Sequence, residues 1–336
     1  MNRLENRSVV LAARPKGVPQ PEHFAIVEDD APAPGVGQIL IRALFWSVDP
    51  AMRGWANDAP NYLPPVAIGA PMRAFSVGEV VASLHPDYRE GEIVTGMFGW
   101  RRYAISDGSD VERKVTEMDL SPSLALGVLG LNGLTAYFGL LDVCAPKAGE
   151  TVVVSTAAGS VGSAVGQIAK IRGSRTVGIA GGPEKAALCR ERFGFDIALD
   201  YRAADFAEAF AAETPEGIDC YFDNTCGPIS DLVMTRLAKG ARIAICGTAA
   251  LTDWSPIPLG PRIHRQLLVA RARMQGFVIF DYRERYPEAL SALAGWVREG
   301  RLAHEEHILE GAAAAAGSIA MLYSGANRGK LLIRVD

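Results

Sequence analysis

The sequence predicts a two-domain α/β protein, a β-rich first part followed by a doubly wound parallel sheet with helices on both faces. Three observations carry this. The chain has 336 residues, too many for one ordinary core. Its first third reads as short strands separated by Pro and Gly clusters. From about Leu124 the texture becomes apolar strands alternating with helical stretches, as in a parallel sheet covered on both faces.

In chain order, residues 38–44 and 76–82 are strand-like, and Pro32, Pro34, Pro64, Pro65 and Pro71 argue against long helices around them. Residues 151–155 form an apolar strand and 163–171 a helix; 175–180 and 184–193 repeat the pattern. Further strands are expected at 219–223 and 241–246, a helix at 286–299 and a last strand at 330–335. The alanine run 311–317 reads as a plain surface helix. The first domain is expected over residues 1–128, completed by 305–336, and the second over 129–304.

Composition limits function. Hydrophobic residues make up 49% and charged residues 21%, and the net charge is −4, with no Lys/Arg run. A nucleic-acid or anionic membrane partner is therefore not expected. The charged start Met1–Arg7 lacks an apolar signal core, so a cytoplasmic protein is expected. Residues 121–141 carry no charge, but Pro122, Asn132, Thr135 and four glycines make a buried helix and turn at a domain junction the better reading than a membrane span. Cys144, Cys189, Cys220, Cys226 and Cys246 are odd in number and dispersed, which points to buried or free thiols rather than disulfides.

The chemically informative stretch is Ala157-Ala158-Gly159-Ser160-Val161-Gly162, between the strand at 151 and the helix that follows. A dinucleotide site needs a tight turn, close approach of backbone to pyrophosphate, and close helix–strand packing. Gly159 and Gly162 stand where the last two glycines belong, and the helix start offers unpaired N–H groups to phosphate. NAD sites place an acid at the end of the second strand, about 20 residues on. Here Ala180-Gly181-Gly182 stands there and Lys185 follows, so no carboxylate repels a 2′-phosphate and a cation is close. NADPH is the expected cofactor.

These residues, with Ser47-Val48-Asp49-Pro50-Ala51-Met52-Arg53-Gly54, His85–Tyr88, Gly130–Leu141, Tyr221–Asn224, Met274–Phe277 and Gly325–Lys330, resemble a known family. The chain is similar to the zinc-independent medium-chain dehydrogenase/reductases of the leukotriene B4 12-hydroxydehydrogenase/prostaglandin reductase branch, and within it to bacterial NADPH-dependent curcumin reductase-like proteins. The resemblance implies a GroES-like, partly open β-barrel domain, a Rossmann domain, an active cleft between them and a homodimer. It further implies that Gly159, Ser160, Val161 and Gly162 hold the pyrophosphate, that Lys185 and Tyr201 meet the 2′-phosphate, and that Asn224 lies beside the ribose. Cys246, Gly247 and Thr248, with Phe277, Val278 and Ile279, border the nicotinamide; Asn132, Thr135 and Asn327 also contact the cofactor. Phe277 and Ile279 read equally as core residues.

No cysteine precedes Cys144, so the first domain offers no thiolate to a catalytic zinc, and no metal site is expected. His304 and His307 have ligand-like spacing for a helix, but Glu305 and Glu306 between them suggest a solvated face. Reduction of an activated C=C bond of an enone or enal suits such a site. Hydride reaches the β-carbon, and the protein orients the reactants and offers a donor to the enolate oxygen. The sequence departs from its relatives at two tyrosine positions, which are Ala51 and, near Ala250-Leu251-Thr252-Asp253-Trp254, Thr252. Tyr62 is the candidate donor, with an aromatic pocket wall as its alternative role, and Thr252 the second candidate. Trp46, Trp55 and Trp254 are expected to refill the space at Ala51. A quinone oxidoreductase and a non-catalytic NADPH-binding sensor remain alternatives.

Overall fold

The protein is described here by a computed structural model covering residues 4–58, 61–251, 256 and 258–336. It divides into two compact units, residues 1–126 with 306–336, and residues 127–305.

Unit 1 begins with β1 (Glu5–Leu11) paired antiparallel to β2 (Phe24–Asp30). It continues through β3 (Ile39–Ser47), α1 (Ala51–Ala56), β4 (Ser76–Ser83), β5 (Ile93–Gly96), β6 (Tyr103–Ser106) and β7 (Val111–Lys114). The α1 helix is only six residues long and follows Pro50, so the proline-rich region admits a helix but a short one. Ile39, Ile41, Val80, Val94, Phe98 and Ala104 form a core between these strands. They alternate along β3 because successive side chains of a strand face opposite sides.

Unit 2 opens with α2 (Leu131–Phe138) and then alternates. Its elements are β8 (Thr151–Ser155), α3 (Ser160–Ile171), β9 (Arg175–Ala180), α4 (Pro183–Glu191), β10 (Ile197–Asp200), α5 (Phe206–Glu213), β11 (Ile218–Asp223), α6 (Gly227–Val233), β12 (Leu237–Ile245), α7 (His264–Ala270), β13 (Arg273–Gly276) and α8 (Tyr286–Arg298). The six strands are parallel in the order β10-β9-β8-β11-β12-β13. This is the doubly wound Rossmann order, which reverses direction between β8 and β11. Val152, Val153 and Val154 are fully buried in its centre, each burial contributing roughly 1.5–3 kcal/mol. One core joins Val153, Val177, Ile179, Phe210, Ile218, Tyr221 and Ile243; another joins Leu134 and Phe138 of α2 to Tyr286, Ala289 and Leu290 of α8.

The chain then completes unit 1 with β14 (Glu306–Glu310), α9 (Ala315–Ser324) and β15 (Lys330–Arg334). The sheet of unit 1 branches at β3. One edge pairs with β4, while the other is shared between β6, along Ile39–Arg42, and β15, along Phe45–Ser47.

Two expectations change. The alanine run is a 3₁₀ turn leading into α9, and Ala312, Ala315, Ser318 and Ile319 are buried, so this is a half-buried helix and not a surface one. His307 lies in a strand and His304 before it, which removes the helical spacing that made them ligand-like. Among the described residues no helix is long and apolar enough to cross a membrane.

Candidate functional site

Because the strands of unit 2 are parallel, their carboxyl ends share one edge of the sheet. Most of the expected site residues stand directly after a strand end. The glycine turn follows β8, Gly181 follows β9, Tyr201 β10, Asn224 β11, Cys246 β12 and Phe277 β13. In open α/β sheets ligands bind at this edge, where the strand order reverses.

The turn after β8 is shaped by sterics. Thr156 takes a left-handed conformation, with φ 54°, and Gly159 is the N-cap of α3. A Cβ on Gly162 would lie 2.3 Å from the Thr156 carbonyl oxygen, so only glycine lets the helix start this close to the strand. The N–H groups of Ser160, Val161 and Gly162 belong to the first helical turn, whose intrahelical acceptors do not exist. They are the unpaired donors that a helix N-terminus offers to an anion.

At the ends of β9 and β10 the Tyr201 ring lies over Gly181, where a Cβ would meet it at 2.9 Å. The Arg202 guanidinium stacks on that ring, 5.6 Å from its centroid, and Lys185 lies on α4 nearby in the chain. Glu184 is an exposed acid in the first turn of α4, and Asp200 Oδ1 accepts the Gly182 N–H at 2.7 Å and the Arg202 N–H at 2.9 Å. The Asp200 charge is thus directed into the turn's own backbone. Arg202 went unnoticed in the sequence, although a base beside Tyr201 was a readable signal. The inward-turned Asp200 was not readable, since only the fold shows which way it faces.

At the switch point, the Asn224 side-chain amide donates to the Ser155 carbonyl at 2.7 Å, and its backbone N–H to Ser155 Oγ at 2.8 Å. The neighbouring Asp223 is 1% exposed. The backbone N–H groups of Cys246 and Gly247 donate to its carbonyl at 2.8 and 3.1 Å, which ties the loop after β12 to that after β11. Thr248 follows in the same loop, its carbonyl accepting the Leu251 N–H at 2.9 Å. Burial and the Asp223 charge push the thiols of Cys226 and Cys246 up to about 12, so neither is a thiolate near neutrality. The Phe277 ring packs edge-on to Phe222 and Tyr282, and Ile279 packs on the α2–α8 core. Both side chains therefore serve packing, leaving the 277–279 backbone and the exposed Val278 at the strand end.

Asn132 and Thr135 share one half-buried face of α2, which packs on α3. Tyr62 and Asn327 belong to unit 1. Tyr62 is 54% exposed, its N–H donating to Asn61 Oδ1 at 2.8 Å. The Asn327 amide donates to the Gly329 carbonyl at 3.0 Å. Thr252 and Trp254 lie outside the described residues. Trp46 is fully buried, with its indole N–H on the Arg101 carbonyl at 3.0 Å, and Trp55 is buried beneath Arg73. Both are core side chains. No group of three or more His, Cys, Asp or Glu side chains that could hold a metal occurs among the described residues.

The donor set of unit 2 fits a dinucleotide carrying an extra phosphate. N–H groups crowd the glycine turn, basic side chains stand at the β9 and β10 ends, and the Asp200 carboxylate there is satisfied by backbone. A family described as the N-terminal domain of oxidoreductase matches residues 7–114, and one described as zinc-binding dehydrogenase matches 160–295. The chain is 45% identical to the NADPH-dependent curcumin reductase of Escherichia coli K12, over 98% of this chain and 97% of that protein. It is 39% identical to prostaglandin reductase 1 of Sus scrofa, over 95% of each. The crystal structure of CurA in complex with NADPH from Vibrio vulnificus superposes with a TM-score of 0.92 at 42% identity, covering 98% of this chain and 99% of that one. The chain belongs to the medium-chain dehydrogenase/reductase family, in the branch that holds curcumin reductase and prostaglandin reductase 1.

Proposed function

We propose that this chain uses NADPH to reduce the C=C bond of α,β-unsaturated ketones and aldehydes. At the coarser level it is an NADP-dependent oxidoreductase. The observation that carries the reading is the carboxyl edge of unit 2, with its glycine turn after β8 and its basic, carboxylate-satisfied corner after β9 and β10.

When bound, NADPH would supply the hydride that goes to the substrate β-carbon, and water the proton that the α-carbon takes up. The first-turn N–H groups at Ser160–Gly162 hold the pyrophosphate. Lys185 and Tyr201, joined by Arg202, hold the 2′-phosphate, and Arg suits a planar, bidentate contact. Asn224, Asn132, Thr135, the 246–248 loop and the 277–279 backbone line the rest of the cofactor on unit 2. Tyr62 donates to the substrate carbonyl oxygen as negative charge gathers there, a contact worth on the order of 3 kcal/mol in the transition state. The relatives' printed names, curcumin reductase and prostaglandin reductase, support an enone as the acceptor.

The chain acts as a cytoplasmic homodimer in this reading. The edge strand β13 and the exposed Leu268 and Val269 of α7 are the surface of unit 2 best suited to a second copy; light scattering of the purified protein tests it, and a monomer at working concentration rejects it.

The deciding experiment follows NADPH oxidation across a panel of enones, enals and quinones, with and without chelator. Turnover of enones unaffected by chelation supports the reading. Turnover of quinones alone replaces it with quinone reduction, and tight NADPH binding with no acceptor turned over replaces it with a binding role.

A further inference from the structure

The mechanism leaves the buried Asp223 carboxylate unused. Asp223 ends β11 at the point where the strand order reverses. Its Oδ1 accepts the backbone N–H groups of Thr225 and Cys226, each at 2.9 Å, and the Tyr221 hydroxyl at 3.0 Å. The Ser155 hydroxyl approaches the same atom at 3.4 Å, and Ser230 Oγ donates to Oδ2 at 2.5 Å. Among the described residues no Lys or Arg forms an ion pair with it. A carboxylate this buried is held in place by fixed hydrogen-bond donors alone. That gives it a definite geometry: its donors come from β8 and β11, the loop after β11 and, at Ser230, α6.

The consequence reaches Asn224. Ser155 gives its hydroxyl proton to Asp223, so the lone pairs of Ser155 Oγ are left for the Asn224 N–H. The Asn224 side-chain NH₂ is given to the Ser155 carbonyl. With nitrogen committed to the strand end, Oδ1 is the atom the side chain presents away from it. Cys226, next but one, sits at φ 56°, a sparsely populated conformation that its N–H bond to Asp223 holds.

We propose that Asp223 is a positioning residue that acts through Ser155 Oγ to hold the Asn224 backbone at the strand end, from which the Asn224 side chain, tied to the Ser155 carbonyl, presents Oδ1 to a hydroxyl of the bound dinucleotide. This rests on the NADPH reading above. The carboxylate touches neither cofactor nor substrate; it sets the proton direction along a chain of three residues.

The test is a double-mutant cycle on the full-length protein, read as NADPH affinity by fluorescence titration, with thermal melting of each variant alongside. Ser155→Ala removes the relay and Asp223→Asn reverses part of its polarity. Each should weaken NADPH binding by about fivefold or more, the scale of one or two lost hydrogen bonds. In an Asn224→Ala background the same changes should cost less than about twofold, because residues acting through one another are not additive. A purely structural Asp223 would lower the melting temperature and give additive losses of affinity, which overturns the proposal. If Asp223→Asn does not fold, the Ser155→Ala and Asn224→Ala pair decides alone. Failure of the unaltered protein to bind NADPH overturns the cofactor reading and this inference together, whereas normal binding with additive losses overturns only the inference.

Discussion

Lys330 Nζ lies 2.5 Å from Asp49 Oδ1, joining residues 281 positions apart within unit 1. The ammonium is 4% exposed and also donates to Ser47 Oγ at 2.7 Å and the Val48 carbonyl at 3.3 Å, while Ser47 donates to the other Asp49 oxygen. Removing one partner strands a buried charge, a loss of about 3–5 kcal/mol. Lys330→Met should therefore lower unfolding stability by that amount in urea. The double change Lys330→Met with Asp49→Asn should recover part of it, and a double variant as unstable as the sum of the singles would contradict the pairing.

The thiols set a pH limit. Burial raises Cys189, Cys226 and Cys246 from 9.0 to about 12. In the unfolded chain they ionise near the ordinary value, while the folded chain keeps them protonated. Their contribution to stability is complete below pH 9 and is lost as pH rises toward 12. Urea denaturation from pH 8 to 11 should show falling stability, with a shallower slope in Cys189→Ala. Equal slopes would remove Cys189 from the effect.

Lys185→Ala and Arg202→Ala should each reduce NADPH affinity by about tenfold or more, as expected for a charge-assisted bond to phosphate. NADH affinity, which lacks that phosphate, should change little. Parallel titrations check this, and equal losses for both cofactors would place the bases elsewhere.

Gly162→Ala sets a Cβ 2.3 Å from the Thr156 carbonyl oxygen, so α3 must move away from β8. A loss of roughly 1–3 kcal/mol, typical of overpacking, and weaker NADPH binding are expected. Gly295→Ala in α8, where nothing lies within 4 Å, should instead stabilise by about 0.5–1 kcal/mol. Thermal melts of the two variants should therefore shift in opposite directions.

Tyr62→Phe tests the donor. A fall in kcat of about a hundredfold with little change in KM for NADPH is expected if the hydroxyl meets the developing oxyanion. An unchanged kcat makes Tyr62 a pocket wall.

The glycine turn was legible because it directly follows the apolar strand β8, and the corner at Gly181 because it follows β9, whereas Asn132, Thr135, Tyr201, Asn224, Cys246 and Phe277 were reached through the family resemblance. The partnerships around them were not legible. Asp223 looks like any strand-end acid until its donors are seen, and Lys330 like a solvated base until Asp49 is found beside it. β2 also escaped notice, since only Phe24 of its seven residues is buried and no alternation marks it. His304 and His307, set aside as ligands on other grounds, do not have the helical spacing they suggested, because spacing implies a shared face only if the backbone is helical.

The interrupted path of unit 1 has a consequence for synthesis. Unit 2 is continuous and can fold as it leaves the ribosome, but the second edge of β3 waits for β15. Until Lys330 emerges, Asp49 has no cation and a stretch of β3 has no partner. During that interval the nascent first unit is open to mispairing with other strands, and chaperone dependence in expression should track the last few dozen codons.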